Sequence, residues 1–335
     1  MINVGIIGYG YWGPNLVRNF NDTDGINVAW AADIDENKLK LVKSRYPSTE
    51  VSKNPDEVIK SSNVDAIAIA TPVSTHFDLA LRALQAGKHV LVEKPMAATS
   101  EQCEQLIDEA DKRKLILMVD HTFPYTGAVT KIKELIDENH LGEIYYFDSV
   151  RVNLGLFQHD VNVIWDLAVH DFSILDFLFD EKPTGVSATG IAHINDQPEN
   201  VAYITLFFAS NIIAHIHVNW LSPVKVRKTL IGGSKRMLVY DDLQPAEKIK
   251  IYDKGVSLAN DESNIYEMKV GYRIGDMWAP RFDSTEALKK LVDHFIECIN
   301  TNKVPITDSH SGLSIVRIME AASQSLLKNG APQEC

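Results

Sequence analysis

The sequence predicts an α/β protein in which a doubly wound parallel sheet is followed by an α+β domain with a large, mostly antiparallel open sheet. The length of 335 residues, with 45% apolar and 23% charged side chains, is that of about two globular domains. Short apolar runs alternate with helical patterns up to about residue 120, and longer β-like segments follow. Alternating strands and helices are typical of a parallel sheet, whereas strands separated only by turn signals are typical of an antiparallel one.

The predicted parallel strands are short apolar runs without period-two alternation. They are rich in Val, Ile, Leu and Ala, as strands buried on both faces should be, and they lie at residues 4–7, 28–32, 66–70, 89–92 and 116–119. Helices are predicted between them, notably over 75–86, which Gly87 closes, and over 100–113, with Ser100 as N-cap. This βαβ rhythm predicts that residues 1–122 form the first domain.

The second predicted domain covers residues 123–335. A helix is expected around 129–136, and β-like segments follow at 145–154, 185–194, 201–220, 226–240 and 248–252. Further helices are predicted over 164–179, over 284–300 with Ser284 as cap, and over 312–328. Because few helical periods separate the β-like segments, we expect their strands to pair mostly antiparallel.

Composition excludes several classes of function. Lys and Arg number 33 against 45 Asp and Glu, so the formal net charge of −12 opposes binding to nucleic acid or to an anionic membrane surface. Three cysteines, none close to another in sequence, predict neither a disulfide framework nor a thiolate metal cage. No apolar stretch reaches the ~18 residues of a membrane span, and no signal peptide is evident. We therefore expect a soluble protein of the cytoplasm.

A glycine-rich turn follows the first predicted strand. Residues 8–13 have the G-x-G-x-x-G spacing and open onto a helical stretch. This pattern is typical of a dinucleotide-binding (Rossmann) turn, where glycines let the backbone approach a pyrophosphate at the start of a helix. A turn with a purely structural role is the alternative. The candidate cofactor contacts here are Gly8, Gly10, Tyr11, Trp12 and Gly13.

An acidic residue ends the second predicted strand. Asp33 follows the glycine turn by about 20 residues, the spacing at which a carboxylate accepts the ribose hydroxyls of an adenosine, and Ile34 lies beside it. A 2′-phosphate would meet the carboxylates of Asp33 and Asp35 with no arginine next to them in sequence. NAD is therefore predicted as the cofactor in preference to NADP. The alternative interpretation is that Asp33 only caps the next helix.

Polar residues also end two later strands. Thr71 and Pro72 follow one strand, with His76 shortly after, and Glu93 and Lys94 end the next. Because open parallel sheets bind ligands at the carboxyl ends of their strands, all five are candidate cofactor contacts, and Lys94 is expected toward the nicotinamide. A solvated surface charge is the alternative interpretation of this lysine.

The helix predicted over 164–179 carries a further pair of polar residues. Asp166 and His170 are four residues apart and so share one helix face, with Trp165 as a candidate cofactor contact beside them. An ordinary ion pair within a helix would look the same. A metal site is not predicted, because no third ligand stands at a convincing spacing.

The ordered set of motifs resembles the glucose-fructose oxidoreductase, inositol dehydrogenase and rhizopine-catabolism (GFO/IDH/MocA) family. The set comprises the glycine turn, Asp33, the strand ends at 71–76 and 93–95, and the pair Asp166 and His170. The resemblance covers nearly the whole chain. It implies an NAD-binding Rossmann domain and a second domain whose open sheet builds homodimers or homotetramers. It also implies that Lys94 is the catalytic lysine and that Asp166 and His170 face the reacting carbinol.

The chemistry of alcohol oxidation gives these three residues distinct roles. As hydride leaves carbon for the nicotinamide, a base must take the hydroxyl proton and a charge must stabilise the developing alkoxide. His170 is the candidate base because imidazole titrates near neutral pH. Lys94 would stabilise the oxygen, and Asp166 would bind a neighbouring hydroxyl or orient the site. On the sequence alone, Lys94 and His170 can exchange roles.

This chain resembles a branch of the family that acts on nucleotide-linked sugars, including UDP-N-acetylglucosamine 3-dehydrogenases, at residues 121–123 with Tyr125, 151–155 and 160–168. The chain departs from many relatives at Asp120, where they have Gly or Asn, and at Val169, where they have proline. The expected substrate is a UDP-linked N-acetylhexosamine or its uronic acid, with C3 as the reacting carbon. Surface polar residues are the alternative interpretation of the candidate substrate contacts. Those candidates are His121, Tyr125, Arg151, Asn153 and Asp160.

Two other enzymatic functions fit the same residues. A nucleotide-ketosugar reductase would run the reaction in reverse with NAD(P)H, and an NAD-dependent glycosidase would cleave its substrate without net formation of NADH. A sugar-sensing regulator of this fold would lack the catalytic residues, whereas Lys94, Asp166 and His170 are all present here.

Overall fold

The structure is a computed structural model that describes residues 1–155, 161–194, 198–253, 255–258, 270–273 and 275–335, with the backbone alone at 255–258 and 270–273. The chain divides into two units. The first comprises Met1–Thr126 and Ser284–Glu320, and the second comprises Gly127–Asp283 and Ala321–Cys335. The sequence assigns 284–320 to the second domain, whereas the structure groups these residues with the first.

The first unit is built on a parallel sheet. Its strands are β1 (Ile2–Ile7), β2 (Ile26–Ala32), β3 (Glu50–Ser52), β4 (Ala66–Ile69), β5 (His89–Glu93) and β6 (Leu117–Asp120). Within the described ranges they lie in the order β3-β2-β1-β4-β5-β6, and each neighbouring pair is parallel. The strand order reverses between β1 and β4, the switch point at which a doubly wound sheet binds its ligands. The predicted fold class is thus confirmed, although the short strand β3 was not predicted.

The helices of both units include every predicted one; the helix over 100–113 has the predicted ends, and the ends of the others are shifted. The helices are α1 (Gly13–Asn21), α2 (Glu36–Arg45), α3 (Pro55–Lys60), α4 (His76–Gln85), α5 (Ser100–Arg113), α6 (Gly127–Asp137), α7 (Val169–Leu178), α8 (Ala287–Thr301) and α9 (Ser309–Leu327). Among the helices that the structure describes, none combines the length and apolar character that a membrane crossing requires.

Two predicted N-caps are wrong by one or two residues. The side chain of Thr99, not Ser100, caps α5 by accepting a hydrogen bond from Gln102 N at 3.2 Å. Thr99 has the extended backbone of a cap residue, whereas Ser100 is already helical. Helix α8 begins at Ala287, so Ser284 lies ahead of it and Glu286 occupies the N-cap position.

Helix α8 belongs to the first unit because its apolar face is part of that unit's core. Leu291, Val292 and Phe295 have no exposed surface and belong to one cluster with residues of β1, β2 and α1. The rings of Phe20 and Phe295 meet edge to face, with centroids 6.4 Å apart. Burying each such side chain contributes about 1.5–3 kcal/mol. Apolar burial therefore fixes α8, which is remote in sequence, in the core of the first unit.

The second unit is built on a mostly antiparallel sheet, as predicted. Its strands are β7 (Ile144–Leu154), β8 (Gly185–Ile191), β9 (Val201–Phe207), β10 (Ile213–Asn219), β11 (Leu221–Gly233), β12 (Met237–Asp241), β13 (Ile249–Tyr252), β14 (Gly255–Leu258), β15 (Val270–Arg273), β16 (Met277–Trp278) and β17 (Gln333–Glu334). Over the described residues the main sheet has the order β16-β13-β12-β11-β7-β10-β9-β8-β17, in which β7 and β10 pair parallel. Strands β14 and β15 pair with each other.

The helix predicted over 164–179 has a different start. Ile164–Ala168 form one π-helical turn, closed by a hydrogen bond from Val169 N to Ile164 O, and α7 follows directly. Single π-turns of this kind are frequent at functional sites. This turn carries Trp165 and Asp166, and the first turn of α7 carries His170.

Candidate functional site

A cleft of about 740 Å³ lies at the carboxyl ends of β1, β2, β4 and β5. This volume is typical of small-molecule sites, which occupy about 300–1,000 Å³. Most of the predicted cofactor contacts in the first unit line the cleft. They are Gly8, Gly10, Tyr11, Trp12, Asp33, Ile34, Thr71, Pro72, Glu93 and Lys94.

The glycine turn has the shape that an approaching pyrophosphate requires. Gly8 has φ +100°, and a Cβ there would lie 2.3 Å from the carbonyl oxygen of Ala70. At Gly13, a Cβ would lie 2.3 Å from the carbonyl oxygen of Gly8, so helix and turn pack closely. A Cβ at Gly10 would meet nothing within 4 Å, which leaves open space above the backbone. Phosphate charge placed there would face the N-terminus of α1.

Asp33 is held by backbone amides at the edge of the cleft. Its Oδ2 accepts a hydrogen bond from Tyr9 N at 2.7 Å, and its Oδ1 accepts one from Asp35 N at 2.8 Å. Helix α2 is capped by Asp35, whose side chain accepts from Asn37 N at 2.9 Å. The carboxylate of Asp33 is thus not the cap, and the alternative interpretation of this residue does not hold. Beside it, Ile34 is 88% exposed.

Cationic side chains near Asp33 were missed by sequence reasoning. Lys38 Nζ lies 3.6 Å from Asp33 Oδ2, and Lys53 and Arg82 line the same cleft. The sequence predicts no arginine next to Asp33 and Asp35, whereas Arg82, which is remote in sequence, lines the same cleft as Asp33. No local signal could have found Lys53 and Arg82, because they come from segments beyond β3 and from α4.

His76 links two strand-end turns in place of the predicted contact with cofactor. Its Nδ1 and Nε2 lie 2.8 Å from the carbonyl oxygens of Pro95 and Thr71, respectively, and the residue is 1% exposed. Burial lowers the pKa of this imidazole, and a neutral imidazole donates to only one of two carbonyls. His76 therefore supports the cleft indirectly, because it contacts the backbone of the two turns that carry Thr71 and Lys94.

Two carboxyl groups lie next to each other at the ends of β5 and β6. Glu93 and Asp120 are register partners in these parallel strands. Asp120 accepts hydrogen bonds from Trp12 Nε1 at 2.9 Å and from Thr122 Oγ1 at 3.0 Å. Burial and the carboxylate of Asp120 raise the pKa of Glu93 well above its usual range. Burial also raises the pKa of Asp120, against the effect of its hydrogen bonds and of Lys94.

Two predicted substrate contacts in the first unit are buried. His121 is 1% exposed, and burial, with the charge of Lys94, lowers its pKa to about 3. Neither ring nitrogen has a hydrogen-bond partner among the described residues. Tyr125 is 4% exposed, and its hydroxyl lies 3.4 Å from Thr307 Oγ1. Tyr125 is therefore part of the core and does not fit the predicted contact with a sugar.

In the second unit, the structure gives Arg151 a structural position instead of the predicted contact with substrate. Its Nε lies 2.7 Å from Asp171 Oδ2, its Nη2 lies 3.1 Å from Asp171 Oδ1, and both side chains are almost fully buried. Ser149 Oγ donates to the same carboxylate at 2.6 Å. A buried charge requires a partner of this kind. Of the other candidates, Asn153 is half-buried on β7 and Asp160 lies outside the described residues.

Asp166 and His170 lie at the junction of the π-turn and α7. The Oδ2 atom of Asp166 accepts a hydrogen bond from Trp220 Nε1 at 3.0 Å, which fixes the carboxylate. Trp165 Nε1 donates to Ser323 Oγ at 3.0 Å within the same unit. Both Asp166 and His170 are half-buried. Over the part of the chain that is described, no group of three or more His, Cys, Asp or Glu side chains could hold a metal ion.

The parallel sheet, the glycine turn and the cleft at the strand ends define a dinucleotide-dependent protein. Residues 2–121 match the family model described as "Oxidoreductase family, NAD-binding Rossmann fold", and residues 129–239 match the model described as "GFO/IDH/MocA C-terminal domain". The chain therefore belongs to the GFO/IDH/MocA family of oxidoreductases, and NAD is its cofactor.

Three relatives illustrate the range of this family. The chain is 38% identical to the uncharacterized oxidoreductase YdgJ of Escherichia coli K12 over 264 residues, 74% of this chain and 73% of the relative. It is 30% identical to scyllo-inositol 2-dehydrogenase (NADP(+)) IolW of Bacillus subtilis over 351 residues, 97% and 93% of the two chains. It is 27% identical to UDP-N-acetylglucosamine 3-dehydrogenase of Acidithiobacillus ferrooxidans over 267 residues, 78% of each.

The solved structure of that last enzyme has the same fold. It covers 97% of this chain, and this chain covers 99% of it, with a TM-score of 0.80 at 23% sequence identity.

Proposed function

We propose that the protein is an NAD-dependent dehydrogenase that transfers hydride between C3 of a UDP-linked N-acetylhexosamine, or its uronic acid, and nicotinamide. The observation that carries the proposal is the cleft, which combines an open glycine turn, Asp33 and Lys94 at the carboxyl edge of one parallel sheet. That arrangement has an acceptor for ribose, a seat for pyrophosphate and a cation for the reacting end.

The side chains of both units contribute to the proposed mechanism. NAD bound in the cleft would supply the hydride acceptor in the oxidative direction. The imidazole of His170 accepts the proton of the C3 hydroxyl, while the ammonium of Lys94 hydrogen-bonds the same oxygen and stabilises its developing charge. Asp166, oriented by Trp220, binds a neighbouring hydroxyl. The residues of the glycine turn, with Asp33, Ile34, Thr71 and Pro72, hold the cofactor.

The substrate class is supported by a relative and by the sequence of the second unit. The Acidithiobacillus enzyme, named a UDP-N-acetylglucosamine 3-dehydrogenase, shares 27% identity over 78% of both chains. Because Arg151 is buried in an ion pair, the diphosphate of such a substrate needs other donors. Asn153 and Asp160 stay predicted contacts with the sugar.

A dehydrogenase for a free cyclitol is the second candidate. Its support is the relative IolW, named a scyllo-inositol 2-dehydrogenase, which matches 97% of this chain at 30% identity. A cyclitol has ring hydroxyls that Lys94, Asp166 and His170 could serve in the same way, and it lacks a diphosphate that would require a further cationic contact.

One experiment separates these functions from the reductase and glycosidase alternatives. The purified protein is incubated with NAD and each member of a panel of UDP-sugars and inositols in separate reactions. The products are analysed by mass spectrometry. The proposal expects a UDP-N-acetylhexosamine or its uronic acid to lose two hydrogens with matching formation of NADH. Loss of two hydrogens from an inositol alone would favour the second candidate, and sugar release without NADH would favour a glycosidase.

We also propose that the protein forms a homodimer or homotetramer through the outer face of the second sheet. On β9 and β10, Phe207 and Ile213 are register partners that are 38% and 47% exposed, and Tyr203 stacks on His217 with ring centroids 4.4 Å apart. Exposed apolar side chains on one face favour burial against a second copy. Sedimentation of the wild type and of F207K/I213K tests this: an oligomer that the double variant dissociates is expected, and a wild-type monomer would contradict it.

A further inference from the structure

The glycine turn is hydrogen-bonded to two carboxyl groups that come from other strands. On one side, Asp33 after β2 accepts a hydrogen bond from Tyr9 N at 2.7 Å. On the other side, Asp120 at the end of β6 accepts one from Trp12 Nε1 at 2.9 Å. Because β1 lies between β2 and β4, the two bonds join the turn to opposite sides of the sheet. The first lies on the side of the predicted ribose contact, and the second lies on the side of Lys94.

The indole of Trp12 reaches along the carboxyl edge of the first sheet. In the strand order, β4 and β5 separate β1 from β6. Neighbouring strands lie about 4.8 Å apart, so the bond joins the turn after β1 to a strand about 14 Å away. The indole therefore lies on the side of the turn where β5 ends, and Glu93 and Lys94 line the same cleft as Trp12.

Trp12 stands between this cleft and the core of the first unit. Its ring packs against the apolar cluster of that unit and also lines the cleft. Asp120 receives the indole N–H at Oδ2 and the hydroxyl of Thr122 at Oδ1, the latter at 3.0 Å, and it is 2% exposed. Because hydrogen bonds are directional, a buried acceptor that is itself held at both oxygens restricts rotation of the indole.

A dinucleotide in this cleft has its two halves on the two sides of the glycine turn. With the pyrophosphate over Gly10 and the adenosine ribose at Asp33, the nicotinamide extends to the opposite side, toward Lys94. Trp12 lies on that side, and one aromatic ring is a favourable contact for another. The hydrogen bond to Asp120 therefore holds a ring that serves the nicotinamide end of the cofactor.

We infer that Asp120 is a positioning residue for the cofactor: its hydrogen bond holds the indole of Trp12 as the surface on which the nicotinamide ring of NAD packs. Asp120 itself touches neither cofactor nor substrate. The inference rests on the orientation of NAD in the proposed function, with the nicotinamide at Lys94. It does not depend on which sugar or cyclitol is the substrate.

Binding of NAD and of ADP-ribose, measured by isothermal titration calorimetry, tests this inference. ADP-ribose retains both riboses and the pyrophosphate of NAD but lacks the nicotinamide ring. D120L removes the acceptor for the indole, so it should weaken NAD about two- to tenfold more than ADP-ribose, the range for loss of one contact between aromatic rings. Equal weakening of both ligands would overturn the inference, because Asp120 would then only support the turn.

D120N separates the hydrogen bond from the negative charge. The nicotinamide of NAD is cationic, and D120L and D120N both remove a carboxylate. Asparagine keeps an oxygen for the indole, so D120N should retain the wild-type ratio of the two Kd values. A ratio that changes equally in D120N and D120L would assign the effect to charge and would contradict the role of the bond.

The double variant W12F/D120L tests whether Asp120 acts through Trp12. Phenylalanine has no N–H to donate, so W12F and W12F/D120L should have the same ratio of Kd values for NAD and ADP-ribose. A further change caused by D120L in the W12F background would contradict the coupling between the two residues.

Fluorine NMR of protein labelled with 5-fluorotryptophan reports on the indole directly. The chain has five tryptophans, and W12F identifies the resonance of Trp12. NAD should shift this resonance more than ADP-ribose does, and D120L should abolish the difference. Equal shifts with both ligands in the wild type would overturn the contact between Trp12 and nicotinamide.

The design also covers a variant that does not fold. If circular dichroism shows that D120L is unfolded, D120S replaces it with the same expected ratio, because the serine hydroxyl can still pair with Thr122 but is one bond shorter and does not reach the indole. Neither measurement uses a sugar or a cyclitol. A wrong substrate assignment therefore leaves both results interpretable, and both can hold if the substrate proves to be an inositol.

Discussion

The carboxyl edge of the first sheet and the inner face of β7 encode functional residues in different ways. In the first sheet, the glycine turn, Asp33, Thr71 and Lys94 directly follow strands, and the cleft brings them together. On β7, Arg151 alternates with its neighbours and is buried against Asp171, although its polar character predicted contact with substrate. A residue at the end of a parallel strand has one possible edge, whereas a residue within a strand can face either side.

This difference shows where sequence reasoning about a site is secure. Strand ends of a parallel sheet meet at one edge whatever the details of packing, so motifs in that position predict neighbours. The face of a strand depends on a partner such as Asp171, which lies 20 residues away on α7. A charged residue within a strand can therefore have a buried counter-ion, and not a ligand, as its partner, as Arg151 does.

The largest expected effect is at the proposed catalytic residues. K94A and H170A should each lower kcat by about 10²–10⁴-fold, the usual contribution of a positioned acid or base, while the Kd for NAD changes little. Steady-state kinetics with the substrate found in the panel and fluorescence titration with NAD provide the two numbers.

The control for this prediction is K60A, which removes a lysine with a side chain that is 75% exposed on α3. It should retain wild-type kinetics. Undiminished turnover in K94A or H170A would remove that residue from the mechanism.

The next largest expected effect is the loss of stability when the buried ion pair between Arg151 on β7 and Asp171 is broken. R151A leaves the carboxylate of Asp171 buried without its guanidinium, which should lower the free energy of unfolding by about 3–5 kcal/mol. Urea denaturation measures this loss. R151M/D171L removes both charges and should recover much of the stability. A fully stable R151A with a raised KM for substrate would restore the role that the sequence predicted for this arginine.

Cofactor preference tests whether Asp33, which follows β2, binds the ribose of the cofactor. D33S/I34R removes a carboxylate and adds a guanidinium for a 2′-phosphate, a charge-assisted contact worth about 1.5–3 kcal/mol, or about 10- to 100-fold toward NADP. The ratio of kcat/KM for NADP and NAD measures the change. D35S/I34R is the matched control, because Asp35 caps α2, and it should change the ratio less. Equal ratios in both variants would mean that Asp33 does not face the ribose.

The smallest effect concerns a helix end. T99A removes the side-chain acceptor for Gln102 N and should cost about 1 kcal/mol of stability, whereas S100A should be nearly neutral. Thermal unfolding of both variants decides which residue caps α5. A larger loss in S100A would contradict the observed cap.

The sequence predicted the doubly wound sheet, the antiparallel second sheet and the strand-end residues that line the cleft, because all three follow from local patterns. It did not predict that α8 belongs to the first unit, since only apolar contacts such as Phe20 with Phe295 determine that. Lys53, Arg82 and Asp120 join the site only through residues remote in sequence. His76 and Tyr125 were assigned to ligands because sequence does not report that a polar side chain is buried against backbone or core.

Deuterium transfer tests the central claim most directly. UDP-N-acetylglucosamine carrying deuterium at C3 is incubated with the protein and NAD, and the reduced nicotinamide is analysed by mass spectrometry. We expect one deuterium in each NADH that the wild type forms, and about 10²–10⁴-fold slower formation of the same labelled NADH by K94A. Oxidation that leaves the label in the sugar, or release of the sugar without labelled NADH, would contradict hydride transfer from C3.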